Sequence, residues 1–102
     1  MAKSFSELIN SDKPVLVDFY ADWCAPCRMM KPILEEVKKK VGDAATIIKI
    51  DVDQSPAIAQ TYQVSGIPTL IIFKNGKAVW RQSGVVQAGH LVQQLELLEN
   101  HQ

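Results

Sequence analysis

The chain has 102 residues, enough for one domain spanning 1–102 with a modest core. Its 47% hydrophobic and 22% charged residues are those of an ordinary folded domain, and eleven basic against eleven acidic residues give no charge excess that would point to nucleic acid or an anionic membrane. No apolar run approaches the roughly 20 residues of a membrane span, and Glu7 and the short apolar runs near the start argue against a signal peptide, so a cytoplasmic, monomeric protein is expected.

Ser4-Phe5-Ser6-Glu7 fits a capping box and predicts a short helix through about Asn10. Lys13-Pro14 ends it, since proline disfavours helix for the residue before it. Val15 to Tyr20 is apolar on both faces except at Asp18, the pattern of a central strand covered on both sides. Trp23-Cys24-Ala25-Pro26-Cys27 follows and holds the only two cysteines. Beyond it, Met30, Ile33, Leu34, Val37 and Val41 recur at helical spacing. Pro32 lies inside that helix and is expected to kink it. Lys38-Lys39-Lys40 is read as a solvated face suited to a helix C-terminus rather than a nucleic-acid patch, with Gly42 as the stop.

Thr46 to Val52 predicts a second strand, interrupted by Lys49. Ser55-Pro56 opens a helix to about Gln63. Thr69 to Phe73 is a third strand, and Asn75-Gly76 is a strong hairpin signal leading into a partner strand through Val79-Trp80-Arg81 that ends near Gly84. Leu91, Val92, Leu95 and Leu98 mark a closing amphipathic helix. Strands separated by helices and ending in a hairpin predict an α/β fold, a three-layer α/β/α sandwich around a mixed sheet.

Two thiols three positions apart at a helix start lie roughly 5–6 Å apart at Cβ, near the spacing of a disulfide. The helix N-terminus favours a thiolate there, which makes Cys24 the candidate nucleophile of a reversible dithiol–disulfide switch. A permanent structural disulfide is the bland alternative, disfavoured in a reducing compartment. Structural zinc wants four ligands and finds two; His90 and His101 lie far along the chain and are read as surface residues. Covalent haem needs histidine after the second cysteine, where Arg28 stands. Asp18 is costly within a central strand unless paired or protonated, and burial would raise its pKa and suit it to proton transfer with Cys27. Lys49 interrupts the neighbouring strand in the same way and is expected on the same side of the sheet.

The segments Val15 to Arg28, Lys49 to Asp53, Gly66-Ile67-Pro68-Thr69 and Phe73-Lys74-Asn75-Gly76, in this order and spacing, resemble the thioredoxin family over nearly the whole chain. The resemblance implies the thioredoxin fold, protein-disulfide reductase activity with no bound cofactor beyond the redox-active cysteine pair, and re-reduction by a flavin-dependent thioredoxin reductase drawing on NADPH. Cys27, one turn further into the helix, is expected to be the more buried, resolving thiol; the resemblance carries over Asp18 as buried acid, Lys49 as its nearby lysine, and Pro68 in the cis form opposite the cysteines. Without an N–H at Pro68, the Ile67 backbone is left to pair with an extended substrate. Trp23, Ala25, Pro26, Gly66, Ile67 and Gly84 are expected to form an apolar rim around Cys24 that recognises exposed protein disulfides. Trp80 is assigned to sheet packing.

Two positions depart from the family pattern. Alanine stands at Ala25 where the family has glycine, which adds a methyl to the rim but keeps the N–H. Only Met1-Ala2-Lys3 precede the capping box, so the family's N-terminal edge strand is expected to be shortened or absent. A disulfide oxidase or isomerase is the alternative within redox chemistry, disfavoured by Ala25-Pro26, where such relatives carry histidine. A redox-independent binding or scaffold subunit is the alternative from another class, weakened by the joint presence of Cys24, Cys27, Asp18, Lys49 and Pro68.

Overall fold

A computed structural model describes residues 3–99. In chain order these form α1 (Phe5–Ile9), β1 (Val15–Tyr20), α2 (Ala25–Val41), β2 (Thr46–Asp51), α3 (Pro56–Thr61), β3 (Thr69–Lys74), β4 (Lys77–Ser83) and α4 (Ala88–Glu99), with a single 3₁₀ turn at Gly42–Ala44. The strands make one mixed sheet in the order β2-β1-β3-β4. β1 runs parallel to β2 and antiparallel to β3, and β3 pairs antiparallel with β4. The parallel pair is joined through α2, the crossover that parallel strands require, and the antiparallel pair β3–β4 through Asn75-Gly76. Both turn residues have positive φ, 54° and 81°, the geometry that asparagine and glycine tolerate and β-branched residues do not.

Alternation along β1 divides its apolar run between two cores. Val15, Val17 and Phe19 join Ile71 and Phe73 of β3 and Ile9 of α1, with Phe5, Ile58 and Tyr62 packed around them. Phe5, Tyr62 and Phe73 meet there as tilted and edge-on rings with centroids 5.0–5.8 Å apart, the favoured aromatic geometry. On the opposite face Leu16, Leu70 and Ile72 pack against Met30, Leu34 and Val37 of α2 and Leu91 and Leu95 of α4. The central strands β1 and β3 are therefore buried on both faces, as their composition predicts, while β2 and β4 lie at the margins.

The local signals hold with small shifts at the boundaries. Ser4 accepts from the Glu7 amide at 3.2 Å and its own amide donates to Glu7 Oε1 at 2.9 Å, completing the capping box. Pro32 sits inside α2 without ending it, and the helix stops at Gly42, whose φ of 56° favours glycine. Ser55 precedes α3, but its hydroxyl makes no capping bond, and the helix ends at Thr61 rather than Gln63, which takes a positive φ. Among the described residues no strand precedes β1, so β2 forms the sheet margin; Met1 and Ala2 of that stretch, like His101, lie outside the described residues.

Candidate active site

β1 delivers the chain to the site. After Tyr20 a turn closes with the Cys24 amide donating to the Ala21 carbonyl at 3.2 Å, and α2 starts at Ala25. Arg28 donates to the Asp22 carbonyl at 3.0 Å and ties α2 back to that turn. Cys24 is the N-cap of α2, and its sulfur accepts the Cys27 amide at 3.2 Å, taking the place of the usual capping oxygen. Pro26 falls in the first turn, where a missing N–H costs nothing. Cys24 and Cys27 are joined in a disulfide with their Cα atoms 5.3 Å apart, within the ordinary disulfide range.

Both cysteines are buried, Cys24 4% and Cys27 6% exposed. In the disulfide form both pack with Ala21 against Tyr20, Val52 and Ile67, so the covering residues shield the pair together.

In the middle of β1 Asp18 is 1% exposed, with neither carboxylate oxygen hydrogen-bonded to any described residue. It shares a sheet face with Leu16, which places it on the α2 side that carries Cys27. Burial pushes its pKa up to about 6, and the positive charge of Lys49 pulls the other way. Lys49 is its direct register partner across β1–β2, as the interrupted apolar runs suggest. A cleft of about 280 Å³ opens beside Lys49, lined by Tyr20, Cys27, Arg28 and Lys31 among others, so one side of Cys27 meets solvent next to the lysine.

Opposite Cys24, the Ile67–Pro68 bond is cis, and the Ile67 carbonyl oxygen lies 3.8 Å from the Cys24 sulfur. The Pro68 carbonyl accepts the Gly84 amide at 2.8 Å, and Gly84 has a φ of 89° that favours glycine, so the end of β4 is drawn up to this loop. Thr69 is buried and its hydroxyl donates to the Gly66 carbonyl and meets Ser83. Trp23, Ala25, Pro26 and Gly66 are exposed around the disulfide, while Ile67 and Gly84 are half-buried. Trp80 packs against the α2–α4 core and its ring meets exposed His90.

Three contacts escaped the sequence. Trp23, 67% exposed, donates its indole N–H to Asp53 at 2.8 Å. Arg81 donates to the carbonyls of Tyr62 and Gln63 and so anchors the loop before Gly66. The Lys49 ammonium rests 4.5 Å from the centroid of the Tyr20 ring. The signal for the first was an acid two residues beyond β2; the others join residues on separate elements with no local pattern.

The Thioredoxin family model matches residues 1–97. Over 94 residues the chain is 53% identical to the chloroplastic thioredoxin Y of Oryza sativa, covering 91% of this chain and 56% of that protein. It is 52% identical over 95 residues to a thioredoxin-like protein of Synechocystis sp., covering 92% and 90% respectively. A bifunctional thioredoxin reductase/thioredoxin of Mycobacterium leprae is 43% identical over 94 residues, 92% of this chain and 20% of that one. Among solved structures, one described in a study of the thiol-resolving mechanism of yeast mitochondrial 1-Cys peroxiredoxin via glutathione/thioredoxin systems aligns with a TM-score of 0.81 at 32% identity, over 90% of this chain and 85% of its own. The chain thus spans little more than half of the rice relative and nearly all of the Synechocystis one.

Proposed function

The chain belongs to the thioredoxin family, and from that premise we propose that it is a protein-disulfide reductase, a dithiol carrier of two electrons. The observation that carries this is the Cys24–Cys27 disulfide at the start of α2, with a buried carboxylate that accepts no hydrogen bond from the described residues on the α2-facing side of β1.

In the reduced form the first turn of α2 favours a thiolate at Cys24, because the amide that reaches its sulfur here is a charge-stabilising donor there. That thiolate attacks one sulfur of a target disulfide; a Cys24–target bond forms and the target's other sulfur leaves as a thiolate. Asp18, ionised near neutral pH, accepts the proton of Cys27. The Cys27 thiolate then attacks Cys24, closing the disulfide and releasing the target as a dithiol once its thiolates are protonated. Lys49 holds the Asp18 pKa below the value that burial alone would give it.

Target proteins meet the rim of Trp23, Ala25, Pro26, Gly66, Ile67 and Gly84, and an extended segment pairs with the backbone at Ile67 beside Pro68. We place the reaction in the cytoplasm, with the chain acting as a monomer and a flavin-dependent thioredoxin reductase restoring the dithiol from NADPH. Support for that partner comes from the Mycobacterium leprae relative, named as a fusion of both activities; the rice relative's name places that protein in the chloroplast.

The test uses chemically reduced protein and insulin as the disulfide substrate, followed by thiol release. Wild type is expected to reduce insulin, Cys24→Ser to be inactive, and Cys27→Ser to accumulate a mixed disulfide that is not resolved. Insulin reduction that survives Cys24→Ser would overturn the assignment.

A further inference from the structure

Lys49 is exposed, on a flexible four-carbon stem, and sits on the margin strand β2. Among the described residues it makes no hydrogen bond or ion pair. What its ammonium does touch is the Tyr20 ring, 4.5 Å from the centroid. Tyr20 shares with Asp18 and Leu16 the α2-facing side of β1, and Lys49 pairs in register with Asp18 while leaning along the sheet towards Tyr20. Tyr20 and Lys49 both line the cleft beside Cys27.

We propose that Tyr20 is a positioning residue for the Asp18–Lys49 pair: its ring holds the Lys49 ammonium at the mouth of the Cys27 cleft, where the charge acts on the buried carboxylate. This rests on the reductase mechanism above and adds to it the residue that keeps the lysine in place. A cation over an aromatic face is attracted by the ring quadrupole, and removing the ring frees the lysine for solvent.

The other charged and titratable groups facing the pair are Asp22 from the turn after β1, Asp51 from β2, and Cys27, Arg28 and Lys31 from α2. Arg28 is committed to the Asp22 carbonyl, and the Asp51 carboxylate to the Asp53 amide, so neither is released or recruited when Tyr20 changes. The antiparallel partner of Asp18, Leu70, adds no charge from β3.

The test is the titration of the Asp18 carboxyl carbon by NMR in the oxidised protein, with Tyr20→Leu, Tyr20→Phe, Lys49→Met and the Tyr20→Leu/Lys49→Met double variant. Tyr20→Leu is expected to raise the Asp18 midpoint, and the acid limb of resolution by Cys27 moves up with it, slowing release about two- to fivefold at pH 6. Tyr20→Phe keeps the ring and the wild-type midpoint. In the Lys49→Met background, Tyr20→Leu adds nothing. An unchanged midpoint in Tyr20→Leu, or a shift that persists without Lys49, would overturn the proposal, the latter because Tyr20 then acts by burial alone. If Tyr20→Leu does not fold, the wild-type protein still decides: ring-shifted ε-methylene protons of Lys49 support the contact, and unshifted ones refute it. Because the titration is read on the oxidised chain, a failed insulin assay would sink the reductase assignment and leave this comparison standing.

Discussion

The two faces of β1 are built from one six-residue strand and do different work. Val15, Val17 and Phe19 point into a core closed by α1 and α3 that holds no buried charge among the described residues. Leu16, Asp18 and Tyr20 point towards α2, and this face carries a buried carboxylate, a lysine beside it and the two cysteines above. The difference teaches where the protein tolerates expense. An ionised carboxylate in that position is a standing cost to the folded state, and the apolar face opposite helps to offset it.

The largest effect is expected from Phe19→Ala. Phe19 is fully buried on the apolar face, and its truncation is expected to cost about 3–5 kcal/mol, read from chemical denaturation, while the Asp18 midpoint stays where it is. A shift of that midpoint would mean the faces are coupled.

Asp18→Asn is expected to act in the opposite direction on stability. The folded-state pKa of Asp18 is raised from 3.8 to about 6, so the native protein binds its proton more tightly than the unfolded chain. The protonated form's advantage is complete below pH 3.8 and is lost as pH rises through about 6. Above that the wild type is weaker by about 3 kcal/mol, from roughly 1.4 kcal/mol per pKa unit. Asn cannot ionise, so the variant is expected to be more stable by that order at pH 8 and to gain little at pH 4, in denaturation series at both values. Resolution by Cys27 should meanwhile slow on the order of 100-fold. A variant with equal gain at both pH values would show that burial shape, and not charge, sets the cost.

Smallest of the three is Ser4→Ala, which removes the capping hydroxyl of α1 on the apolar side. About 1 kcal/mol of stability is expected to go, with thiol chemistry and the Asp18 titration unchanged.

Much of this was legible along the chain because it is local. Alternation in Val15 to Tyr20 gives both faces of β1, and the capping box, the Asn75-Gly76 turn and the stop at Gly42 each rest on a few adjacent residues. Asp18 and Lys49 stood out because a charge inside an apolar run needs a reason. The cis Ile67–Pro68 bond was reached through family resemblance; spacing alone favours trans. What covers the cysteines, Val52 and Ile67 from other elements, has no local pattern along the chain. Trp23 with Asp53, Arg81 with the Tyr62–Gln63 carbonyls, and Lys49 with Tyr20 are meetings across the fold, invisible to any period.

The margin position of β2 has a consequence for how copies of this protein meet. A strand at a sheet margin is a template on which an identical strand from another molecule can add. Were two copies to pair there antiparallel about Lys49, the two lysines would fall opposite each other on one face, a like-charge contact. The lysine beside the buried carboxylate thus also discourages the sheet from growing beyond it.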